Sequence, residues 1–99
     1  MILEVAEGMR YQSTTEQLIY KITTTNWGTS PSSPVVAVYI GATDVTSTVM
    51  PTNTPTAAAD VITLSPLKSL SNGYIYRVEV TFTSGSNVFE CHFNVSCTL

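Results

Sequence analysis

Apolar and polar positions alternate most regularly near the end of the chain. Within residues 70–82 the alternation runs from Tyr74 through Tyr76, Val78 and Val80 to Phe82, and it resumes over 89–95 with Phe89, Cys91, Phe93 and Val95. A period of two with one apolar face is the pattern of a half-buried antiparallel strand. The break between the two runs, Ser84-Gly85-Ser86-Asn87, carries turn residues, so the pattern predicts a β-hairpin. Residues 18–24 give another strand, with Leu18, Tyr20 and Ile22 on one face. Residues 35–40, Val-Val-Ala-Val-Tyr-Ile, are apolar on both faces, which suits a central strand whose second face is covered.

Weaker strand signals lie over 2–7, 44–50 and 61–64, with a short edge piece within the polar connection around 9–12. Between them are breakers. Residues 27–34 hold Gly28, Pro31 and Pro34 among hydroxyls, and residues 51–55 begin and end with proline. Only residues 55–60, with Ala57, Ala58 and Ala59, suggest a short helical turn. About seven short antiparallel strands separated by turns predict an all-β sandwich. At 99 residues, with no internal repeat or linker, the chain reads as one domain over 1–99.

Composition narrows the function. The hydrophobic fraction of 43% is that of a folding chain. Charged residues make up only 11%. Ordinary proteins carry about 25%. Ser and Thr fill the gap, so the surface is hydroxyl-rich. Arg10, Lys21, Lys68 and Arg77 stand apart, and the net charge is -3. A nucleic-acid partner requires a clustered basic footprint, and an anionic membrane surface has the same need; neither is expected. No stretch is long and apolar enough to span a bilayer as a helix, and residues 1–7 lack the features of a signal peptide.

Candidate chemistry is sparse. His92, the only histidine, is flanked by Glu90 and Asn94 on the outward side of its strand, with no marked nucleophile to complete a triad. Activity lost on His92→Ala would be the mark of a hydrolase. Cys91 and Cys97 lie six positions apart with the same parity. In an unbroken strand that is roughly 20 Å, too far for a disulfide, so both read as buried thiols. No cofactor and no metal site is expected: Asp44 and Asp60 are isolated, and the glycines are scattered singly. Asn94-Val95-Ser96 matches a glycosylation sequon, but it falls within a strand of a chain with no visible secretion signal.

Leu70, Gly73 and Tyr76, followed by Val78 and Val80, resemble the tyrosine corner of immunoglobulin-like and fibronectin type III sandwiches. The resemblance implies that Tyr76 opens the sixth strand and that its hydroxyl bonds to backbone just upstream. Val78 stands where immunoglobulin domains carry a cysteine, and no cysteine lies near Ile22, so their inter-sheet disulfide is not expected. More of the chain, including 20–31, 44–46, 61–67, 76–80 and 85–91, resembles small single-domain proteins encoded by tailed bacteriophages and prophages. That resemblance implies a non-enzymatic structural or decoration protein of the virion, made in the host cytoplasm, whose partners are other virion proteins or further copies of itself as a homo-oligomer. Ile19 and Ile75, outward on their strands, are candidates for one assembly surface shared with residues 35–40. Trp27, beside the proline-rich loop, either closes the end of its own core or serves as a stacking platform for a sugar or peptide. The alternative is a secreted or surface-displayed module that binds a carbohydrate or peptide through loops 27–34 and 44–55.

Overall fold

The computed structural model describes residues 2–4, 9–25 and 29–98. Two sheets face each other. The larger has the order β1-β9-β8-β4-β5, with β2 also paired to β9; the smaller has the order β3-β7-β6. The elements are β1 Ile2–Glu4, β2 Arg10–Gln12, β3 Lys21–Thr23, β4 Ser32–Ile40, β5 Thr43–Asp44, α1 Thr46–Val49, β6 Thr56–Ala58, β7 Val61–Thr63, β8 Ile75–Ser84 and β9 Asn87–Cys97.

Strands β8 and β9 form the hairpin that the alternation predicts, in register from Ile75 opposite Ser96 to Ser84 opposite Asn87. Gly85 opens its two-residue turn at φ +60. That is the left-handed value a tight hairpin requires at this position. The inward set of the large sheet is Val36 and Val38 on β4, Tyr76, Val78, Val80 and Phe82 on β8, and Cys91, Phe93, Val95 and Cys97 on β9. It packs against Ile22, Ile62 and Leu64 from the smaller sheet and against Leu67 and Leu70 from the crossover into β8. Both cysteines are free and buried in the continuous β9 strand.

Three sequence expectations are corrected. Strands β1 and β2 run parallel to β9, so the sandwich is not wholly antiparallel. Residues 55–60 are not helical: Ala57 faces the core from β6, opposite Ile62, and Ala59-Asp60 make the turn into β7. The helix instead lies in the 44–50 segment, where the pattern predicts a strand. There Asp44 accepts hydrogen bonds from the Thr46 amide (2.9 Å) and hydroxyl (2.7 Å), folding the chain back after only two residues of β5. Such local side-chain bonds compete with the strand ladder.

That helix closes the edge of β4. The Val38 amide donates to the Thr46 hydroxyl (2.8 Å), the Val38 carbonyl accepts from the Val45 amide (2.9 Å), and the Asn53 side chain donates to the Val36 carbonyl (2.9 Å). The interior also holds a polar tie. Gln12, fully buried, donates to the carbonyls of Leu67 (2.7 Å) and Glu16 (3.0 Å) and accepts from the Tyr20 hydroxyl (2.9 Å). The ring of Tyr20 lies 5.2 Å from that of Phe93, and burial together with nearby Glu16 raises its phenol pKa.

Candidate functional site

The crossover into β8 is locked by its tyrosine. Leu70 and Tyr76 are both in the core, Gly73 takes φ +92, and the Ser71 amide donates to the Tyr76 hydroxyl at 2.8 Å. Gly73 is needed here because an L side chain at that φ is strained. These three residues fix where β8 starts, and with it the register of the whole outward face.

The outer face of the large sheet is the most extended candidate surface. Because β9 is central, side chains from three strands fall into rows. Tyr11, Ser96 and Ile75 form one row at one end; Val35 lies in register with Thr81 and Glu90 toward the other, with Val88 opposite Thr83 beyond. Tyr11 (67%), Ile75 (51%), Val35 (63%) and Val88 (70%) are all at least half exposed. Large apolar side chains more often lie inside. The expectation that residues 35–40 are covered on both faces fails at this end, where Val35 leaves the outward side open.

The middle of this face is polar and largely self-satisfied. Arg77 lies over the Tyr39 ring at 5.3 Å, its Nε meets the Glu79 carboxylate at 2.6 Å, and its Nη2 donates to the Gly41 carbonyl at 3.1 Å. His92 stands opposite Glu79 in register and points outward as expected, but its Nδ1 is buried without a hydrogen-bond partner. Such an atom costs stability.

Ile19 and Ile75 do not share a surface. Ile19, 58% exposed, continues the outward side of β3 in the small sheet, whereas Ile75 is on β8 of the large one. The core lies between them. Trp27 falls outside the described residues.

Residues 29–34 and 44–50 of the two end loops flank opposite ends of β4, while Asn53 of the second loop returns to the Val36 carbonyl. Asp60 accepts from the Ser30 amide (3.0 Å) and the Thr25 hydroxyl (3.1 Å), and Ser84 donates to the Thr29 carbonyl (2.6 Å), gathering these residues at one pole. Residues 44–50 sit at the other pole, beyond the length of β4. A strand of that length spans roughly 30 Å. Asp60 is an isolated carboxylate in the sequence; its partners lie 30 and 35 residues away, and no local signal points to them.

Among the described residues, no three His, Cys, Asp or Glu side chains converge to hold a metal ion. No helix there is long and apolar enough to cross a membrane.

No family model matches this chain, and no curated protein matches its sequence. Solved structures do match. The M1 domain of titin superposes with a TM-score of 0.50, covering 96% of this chain and 90% of that domain, at 15% identity. The fold is immunoglobulin-like. At this identity the likeness concerns architecture alone. In the immunoglobulin-like frame, β3, β7 and β6 occupy the places of strands B, E and D, and β4, β8 and β9 those of C, F and G. The departure lies at the N-terminus: a first strand beside B would complete that sheet, but β1 and β2 both lie on β9.

Proposed function

We propose that this chain is a non-enzymatic structural or decoration protein of a tailed bacteriophage particle, made in the host cytoplasm and acting through contacts with other virion proteins or with further copies of itself. The observation that carries the contact reading is the outer face of the large sheet. Tyr11, Ile75, Val35 and Val88 expose apolar side chains at its two ends, while the Arg77 and Glu79 charges between them are paired with each other. A face with exposed apolar ends and an Arg77–Glu79 pair between them suits packing against another protein, since that pair need not be broken on contact. The particle itself is implied by the sequence resemblance to small phage-encoded proteins.

Mass spectrometry of purified virions tests this. Recovery of the chain in fixed ratio to capsid or tail proteins supports the reading. Its absence from particles of a phage whose genome encodes it rejects the reading.

A further inference from the structure

Strand β3 carries an open edge. Toward β7, the Tyr20 carbonyl accepts from Leu64 (2.9 Å), the Thr24 amide donates to Asp60 (2.8 Å), and Leu18 exchanges both bonds with Leu67. In an antiparallel ladder the hydrogen-bonding groups of successive residues point to opposite sides. The even positions are therefore spent on β7, and the amides and carbonyls of Ile19, Lys21 and Thr23 point the other way. β3 ends its sheet, and no strand among the described residues lies beside it.

Among the described residues the other edges are covered or short. β1 and β2 cover β9, and Thr46, Val45 and Asn53 satisfy β4. β6 has only three residues and follows Pro55, whereas the bonds flanking β3 extend its ladder from Leu18 to Thr24. Short length and proline are common ways of blunting an edge. On β3, Lys21 alone plays such a guarding role, while Ile19 beside it is 58% exposed.

We propose that a second copy of this chain docks on this edge, residues 17–23 of one copy antiparallel to residues 17–23 of the other, about a two-fold axis at Tyr20. The two small sheets then join into one of six strands. This register is selected by side-chain chemistry. It places Ile19 of each copy beside Lys21 of the other, so the lysine stem covers the isoleucine and its ammonium stays in water. It also sets Gln17 opposite Thr23. A register centred on Lys21 would set two ammonium groups face to face, which is unfavourable. The contact is isologous and closes at two copies. It deepens the contact-based reading above and rests on it for its use in a particle.

The test uses the purified whole chain in solution, so its outcome is distinct from that of the virion experiment. Sedimentation from micromolar to millimolar concentration is expected to show the mass doubling from 10.7 kDa. Over the same range the amide protons of Ile19, Lys21 and Thr23 should gain protection from exchange by about tenfold or more, while Ile22 is protected throughout. Ile19→Lys should abolish the dimer by setting two lysines together at each contact. Adding Lys21→Glu to it should restore the dimer, because the introduced ammonium then meets the introduced carboxylate in this register only. A chain that stays monomeric at millimolar concentration overturns the proposal. So does a dimer that leaves the three amides exposed, or one that Ile19→Lys does not weaken. If Ile19→Lys fails to fold, the exchange pattern of the unaltered chain still decides.

Discussion

The hydroxyl of Tyr76 holds a buried position by a single bond to the Ser71 amide. Tyr76→Phe removes that acceptor, keeps the ring, and should cost about 1 kcal/mol in urea unfolding. Tyr74 is half exposed. The same change there should fall within about 0.5 kcal/mol of the unaltered chain. Leu70, Gly73 and Tyr76 are readable in the sequence because the corner is local: anchor, turn and tyrosine lie in one short stretch. Gln12 and Asp60 are not. Gln12 reads as a polar residue in a polar connection, yet it is buried by a carbonyl 55 residues away. Asp60 fixes a loop 30 residues distant. A side chain whose role depends on which strands meet leaves no trace in its own neighbourhood.

At the scale of elements, alternation is informative wherever one face is buried, and the β8–β9 hairpin is legible for that reason. Composition misleads at residues 44–50, where β-branched Val and Thr suit a strand but Asp44 turns the backbone onto Thr46. The Thr46 hydroxyl then acts as a surrogate neighbour for β4. Thr46→Val keeps the shape and removes the acceptor for the Val38 amide. It should cost about 1–3 kcal/mol by leaving that donor unsatisfied. It should also raise the rate of thioflavin-positive aggregation, because β4 regains a usable edge. An unchanged aggregation rate would mean that Asn53 and Val45 protect this edge without it. The direction of β1 and β2 is invisible in the sequence, since a period of two is the same for parallel and antiparallel neighbours.

For the whole molecule, the core's two thiols shape the response to alkali. Burial, with a smaller effect of Glu90, pushes the Cys91 thiol up to about 11. In the unfolded chain it ionises at about 8.5. Between these values the unfolded state has lost a proton that the folded state retains, so stability falls as pH rises, by up to about 1.4 kcal/mol per pH unit. Cys97 and Tyr20, both raised, add to the same loss. Chemical unfolding at pH 8, 9 and 10 should show this decline, and Cys91→Val should make it shallower. An equal slope in the variant would assign the decline to other groups. Below the unfolded value, where both states keep the proton, these thiols leave stability unchanged.

The parallel pairing of β1 and β2 with β9 has a mechanical meaning. The first and last strands are neighbours that run the same way, so the chain enters at one pole and leaves at the other of a body 40 Å long. Tension applied between those poles slides β1 and β2 along β9. The inter-strand bonds then bear the load together and must break together, whereas an antiparallel pair of terminal strands would unzip one bond at a time. Resistance to such pulling is set by the unfolding barrier and not by equilibrium stability. Pulling this body from its two poles would therefore load the β1–β9 and β2–β9 pairs in shear.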